Sequence, residues 1–163
     1  MIRMNISSRP IGRFVLLMLL VFGHASIGHA ACWNEAAALY NVDPILLKAI
    51  GWHESRGWSD AKGPVLPDGN RAIGVMQINT VHLPTLTRAG IRREDLLDAC
   101  TSEKVGAWVL ANCIKQFGPT WKAVGCYNTG PASSNVAAQL RYVRSVQRYY
   151  AAYQRDAARE QQK

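Results

Sequence analysis

The chain has 163 residues, 48% of them hydrophobic, and a formal charge of +8. That length suits one domain, and the apolar share is enough for a real core. The basic residues are scattered, with no Arg/Lys stripe interleaved with aromatics, which argues against nucleic acid as a partner.

Residues 1–30 read as an export leader. Arg3, Arg9 and Arg13 form a positive start without an acid, and Phe14 to Phe22 is apolar but short for a bilayer span. Gly28-His29-Ala30 is a small-x-small cleavage site. The alternatives are an uncleaved anchor and a lipid-modified Cys32. Removal leaves 16 basic against 11 acidic residues, a formal +5 that suits a polyanionic partner. The four cysteines of the remaining chain, an even number, then imply two disulfides. Their spacing does not suit zinc, and no metal or cofactor is expected. Of three connectivities, the preferred one is Cys32–Cys100 with Cys113–Cys126. The first ties the N-terminal helix to mid-chain, and the second staples a helical hairpin.

Trp33 to Tyr40 is a short predicted helix. Asp43 then caps a second, with Pro44 at its first position. Ile45, Leu46, Ala49, Ile50 and His53 recur at helical spacing. This helix is apolar on nearly all sides, predicting burial all round, and Gly57 stops it. Residues 58–72 are rich in turn residues and predict a loop or short hairpin. Residues 73–79 form a short buried strand or turn. Short helices follow over 81–89 and 93–99. Thr101 or Ser102 is expected to cap the next, which runs to about Phe117. A short helix spans 120–127, and Asn128-Thr-Gly-Pro131 is a break. Ser133 or Ser134 is expected to cap a long last helix with Val136, Leu140, Val143, Val146, Tyr150 and Tyr153. Residues 155–163 are expected to be a frayed, flexible polar tail. The total is mainly helix, in one domain over 31–154.

Glu54 lies in the last turn of the second helix. The helix dipole is negative there, and partial burial disfavours an anion, so both raise its pKa. A carboxyl protonated near neutral pH is what a general acid needs. Ser55 is read mainly as support for the helix end. His53 is read as a packed histidine and Trp52 and Trp58 as packing.

Three separated pieces now stand in order: Glu54-Ser55, Gly74-Val-Met-Gln-Ile78 and Cys126-Tyr-Asn-Thr-Gly130. Together they resemble the catalytic domain of lytic transglycosylases, related in fold to goose-type lysozyme. Val75, Cys126 and Thr129 depart from the family's usual Leu, Ala and Ala. Leu46 to Ile50, Val105 to Asn112 and Cys32 near the mature start look like the specialised branch that serves secretion, conjugation or pilus machines. The resemblance implies a lysozyme-like helical domain with a small irregular or β-hairpin loop near residues 58–78. It implies periplasmic cleavage of the β-1,4 bond between N-acetylmuramic acid and N-acetylglucosamine, leaving 1,6-anhydromuramic ends, by a monomer working on peptidoglycan strands. Glu54 is then acid and base in turn. Ser55, Met76, Gln77, Tyr127 and Asn128 are expected at the substrate, with Tyr127 orienting Glu54 or the N-acetyl group. Family members often carry a Ser where Gly63 falls here. Asp68 is the candidate second acid, which would permit lysozyme-like hydrolysis. The rivals are therefore a true hydrolase on the same fold and a catalytically weak peptidoglycan-binding assembly factor.

Overall fold

The computed structural model describes residues 32–163, so the leader lies outside the described residues. Six α-helices carry the fold: α1 Trp33–Tyr40, α2 Pro44–Ser55, α3 Leu83–Arg88, α4 Ala99–Phe117, α5 Trp121–Thr129 and α6 Val136–Glu160. Two 3-10 turns, Thr80–His82 and Glu94–Leu97, flank α3. A two-stranded antiparallel hairpin, β1 Ala72–Ile73 and β2 Ile78–Asn79, pairs Ala72 with Asn79 and Ile73 with Ile78. The turn between the strands is Gly74-Val75-Met76-Gln77, closed by Gln77 N–H on the Gly74 carbonyl at 3.0 Å.

Helix α2 is the inner element. Asp43 starts it, its Oδ1 accepting from Ile45 N at 2.7 Å and Leu46 N at 3.2 Å. Leu47, Ala49, Ile50 and Gly51 are buried, but Trp52 remains 40% exposed, so α2 is buried along one side only. It ends at Arg56, whose left-handed φ of 59° stops the helix one residue before Gly57. Helix α6 packs against α2 and α5, and α4 against α1 and α5.

Met76 is the central core side chain, fully buried among these elements. A Cβ on Gly51 of α2 would come within 3.0 Å of its Sδ, and one on Gly106 of α4 within 2.5 Å of its Cε. The two glycines leave the room that Met76 fills. The motif methionine is thus a packing residue: its backbone or its side chain was expected to line the site, and the side chain is fully buried in the core.

Two caps fall elsewhere than expected. Helix α4 starts earlier, on Asp98, whose Oδ1 accepts from Thr101 N at 2.8 Å. Ser102, freed from capping, is buried and accepts from Met76 N at 3.1 Å. Helix α6 is capped by Asn135, not Ser133 or Ser134, its Oδ1 accepting from Ala138 N at 3.0 Å. Helix α5 continues through Asn128 and Thr129, and the break comes at Gly130-Pro131. Helix α6 runs on to Glu160, because residues 155–160 are good helix formers with an Asp156–Arg159 pair one turn apart. Cys32 is bonded to Cys100 and Cys113 to Cys126. The sulfur of Cys32 is therefore not available for a lipid thioether. Its backbone N–H donates to the buried carboxyl of Glu103 at 2.5 Å, a second tie between the start of α1 and α4.

Candidate active site

Glu54 stands at the C-terminal end of α2, half-buried, on the wall of a cavity of about 180 Å³. Gln77, Asn79, His82, Tyr127 and Asn128 line the same cavity. A second cavity, of about 360 Å³, shares Asn79, His82, Val109, Tyr127 and Asn128 and continues along α4 and α5 to Pro131. The two form one groove, with Glu54 near one end.

Burial raises the Glu54 pKa to about 7, while a hydrogen bond from Tyr142 opposes the rise. That hydroxyl, on α6, donates to Glu54 Oε1 at 2.6 Å. Tyr142 is itself buried, and the ring of His53 meets it edge-on at 4.7 Å. His53 Nδ1 shares a hydrogen with Ser145 Oγ at 2.8 Å, and burial lowers its pKa, helped by Arg56 and Arg148. His53 thus packs against the tyrosine that holds Glu54.

Of the two roles expected of Tyr127, orienting Glu54 or the N-acetyl group, the first falls to Tyr142. Tyr127 lines the groove, but its hydroxyl donates to the Met76 carbonyl at 2.8 Å. It braces the hairpin turn, and Tyr142 takes the carboxyl. Tyr142 escaped the sequence reading because a tyrosine on an amphipathic helix reads as packing, 88 residues from its partner. Its signal was present: it sits three and four residues from Gln139 and Val146, on the buried side of α6.

Ser55 also stands outside the groove. Its Oγ lies 2.8 Å from the Val75 carbonyl and accepts from Gly57 N at 3.2 Å. It fastens the end of α2 to the hairpin turn, the support of the helix end read for it from the sequence. Gln77 spends its amide nitrogen on the carbonyls of Ala61 (3.2 Å) and Gly74 (2.9 Å), which leaves its Oε1 as an acceptor. A Cβ on Gly63 would stand 3.4 Å from that oxygen and 3.2 Å from the Ala72 Cβ, so Gly63 borders the groove. Asp68 does not reach it. Its carboxylate is fully exposed and turned onto Asn70, accepting from the backbone N at 2.9 Å and from Nδ2 at 3.0 Å, bonds that lower its pKa. Trp52 and Trp58 are 40% and 67% exposed, more than the packing expected of them.

Removing the Tyr142 hydroxyl separates its two effects. Tyr142→Phe is expected to lower kcat about 10-fold to 100-fold through lost orientation. It also deletes a donor to the carboxylate, so the Glu54 pKa rises and the alkaline limb of kcat/KM moves to higher pH. An unshifted limb would show that the hydroxyl does not act on Glu54.

A helical domain that holds one proton-bearing carboxyl at a helix end, over a groove rich in amides, is lysozyme-like in architecture. One solved structure similar to it is an inactive Glu-to-Gln mutant of lytic transglycosylase Slt from Pseudomonas aeruginosa, with a TM-score of 0.65 at 22% identity. That likeness covers 82% of this chain, which spans a quarter (25%) of the Slt chain. The family described as Transglycosylase SLT domain matches residues 31–150, and the chain belongs to that family of peptidoglycan lytic transglycosylases. It is 34% identical to Protein IpgF of Shigella flexneri, over 85% of this chain and 90% of that one. It is 36% identical to Invasion protein IagB of Salmonella typhi, over 82% and 84%.

Proposed function

We propose that the enzyme is exported to the periplasm, loses residues 1–30 and cuts murein strands by the lytic route, as a monomer, to open the wall locally for an envelope-spanning machine. The observation that carries the chemistry is Glu54 as the single carboxyl lining the groove among the described residues. Common retaining and inverting glycosidases need two carboxyls. One suffices if the sugar supplies the rest. Protonated Glu54 gives its proton to the glycosidic oxygen, and the bond from C1 to that oxygen breaks as the N-acetyl oxygen closes on C1. Glu54, now a carboxylate, takes the proton of the 6-hydroxyl. The 6-oxygen then displaces the N-acetyl oxygen at C1, which forms the 1,6-anhydro ring and returns Glu54 to its starting state. No water enters. A pKa near 7 keeps the acid form populated at neutral pH and makes activity fall above it.

Gln77 Oε1 and the Asn128 amide are the groups offered to sugar amides and hydroxyls. Association with a secretion, conjugation or pilus apparatus is supported by the relatives, one of them named an invasion protein. Mass spectrometry of fragments released from sacculi is expected to show 1,6-anhydromuramic ends. Reducing ends in their place would mark a hydrolase, and no release at all would mark an assembly factor.

A further inference from the structure

Helix α6 carries a charge pattern that the groove chemistry does not use. Between Val136 and Arg155 it has Arg141, Arg144, Arg148 and Arg155 and not one acid. Scattered in sequence, these fall within about 60° of one another around the helix, in a stripe about 21 Å long. All four are exposed, on the side away from the buried Tyr142, Val143 and Val146. The ion pairs among the described residues are Arg92–Asp95, Lys104–Glu35 and Arg159–Asp156, and none includes the stripe. Arg141 and Arg144 are three apart, and Arg144 and Arg148 four apart, spacings at which like charges destabilise a helix. An anionic ligand would relieve that repulsion.

Arg56 brings the stripe to the active site. It follows Glu54 by two residues, stacks on Tyr149 of α6 at 4.9 Å and donates to that hydroxyl. Arg148 reaches Ser145 at 3.5 Å, the same hydroxyl that meets His53. Arg56 and Arg148 therefore gather around one imidazole, beside the acid's helix.

Resting on the reading that this enzyme works on peptidoglycan, we propose that the α6 arginine stripe binds the carboxylate-bearing stem peptides of the murein network. It holds the enzyme on the wall while one glycan strand occupies the Glu54 groove. Guanidinium groups match carboxylates bidentately, and a linear ladder of cations suits anions repeated along a polymer. A bilayer surface fits less well. Helices that lie in that interface pair a basic face with large apolar side chains. Here Val136 and Leu140 supply those at one end only, and Gln147, Ala151 and Gln154 accompany the rest of the stripe.

Sedimentation with insoluble sacculi tests this, in the Glu54→Gln background so that no strand is cut. Adding Arg141→Gln, Arg144→Gln and Arg155→Gln together, which leaves the Arg148 that meets Ser145 in place, is expected to weaken binding to native sacculi about tenfold. The tenfold difference should vanish on sacculi stripped of stem peptides by an amidase, and should shrink as salt rises. With Glu54 intact, the triple change should leave cutting of soluble, peptide-free glycan unaltered. Equal binding of both proteins to native sacculi would overturn the proposal, as would undiminished binding of the arginine-bearing protein to stripped sacculi. If the triple change instead abolishes binding to phosphatidylglycerol vesicles and spares sacculi, the stripe is a lipid site. Binding is read apart from cutting, so failure of the lytic reading would show separately, as sacculi that are bound but never cleaved by the protein with Glu54.

Discussion

Glu54→Gln is expected to leave sacculi essentially uncut, with activity down by about 10³-fold or more. A positioned acid or base contributes about 10²–10⁴-fold, and Glu54 serves as both in successive steps. No neighbour can take over, since Asp68 is exposed and turned onto Asn70, and the rest of the groove offers amides, a histidine and a tyrosine. The same variant has a second readout. Glu54 has a pKa of about 7 in the fold against 4.5 for a free carboxyl, so the folded chain holds an extra proton between those values. The stability that this confers is full below pH 4.5 and is lost as pH rises through 7. The amide that replaces the carboxyl does not ionise. The variant should therefore melt a few degrees above the unsubstituted protein at pH 8, with the gap closing below pH 5. Glu103, also raised to about 7 by burial, titrates in both proteins and cancels in the comparison. A variant no more stable at pH 8 would mean that Glu54 ionises without cost and lacks the setting of an acid.

Gly74→Ala is expected to be the most destabilising single methyl in the domain. Gly74 has φ of +79°, and a Cβ there would lie 2.0 Å from the Leu96 carbonyl oxygen and 2.7 Å from Ser102 Oγ. Neither can yield cheaply. The Leu96 oxygen is backbone, and Ser102 holds Met76 N at 3.1 Å. The hairpin turn would have to lift off the 3-10 turn Glu94–Leu97 and α4, taking with it the Val75 carbonyl that Ser55 meets and the Met76 carbonyl that Tyr127 meets. A loss of about 3–5 kcal/mol follows, read as a fall in Tm of about 10 °C or more, with activity falling too because both ties fix the groove wall. Gly69 and Gly90 provide the control. Their φ values are +79° and +80° but nothing lies within 4 Å of an added Cβ. Alanine there should cost only the left-handed backbone, about 1–2 kcal/mol. Equal losses at all three would mean that Gly74 is chosen for its φ alone.

The parts of this arrangement that local rules govern were readable in the chain. Asp43-Pro44 begins a helix because the carboxylate accepts from the free N–H groups of Ile45 and Leu46, while proline has no N–H to leave unpaired, and the structure starts α2 there. The mainly helical fold followed from apolar periodicity. What escaped depends on which distant groups meet. Thr101 and Ser102 looked like caps as readily as Asp98 did, and only the fold shows that Ser102 is consumed by Met76 N, 26 residues away. Met76 was assigned to substrate by motif, and Ser55 to substrate and, mainly, to support of the helix end. Their burial and bonding come from Gly51, Gly106 and Val75, which sequence spacing does not bring together. The arginines of α6 looked scattered until a 25-residue helix aligned them.

The most direct test of the central claim, one carboxyl and no attacking water, is digestion of sacculi in water enriched in heavy oxygen, with fragments weighed by mass spectrometry. Lytic cleavage by Glu54 predicts anhydro ends without solvent oxygen, and Glu54→Gln should release almost none of them. Ends carrying one heavy oxygen each would show that water attacked C1, and would contradict the account.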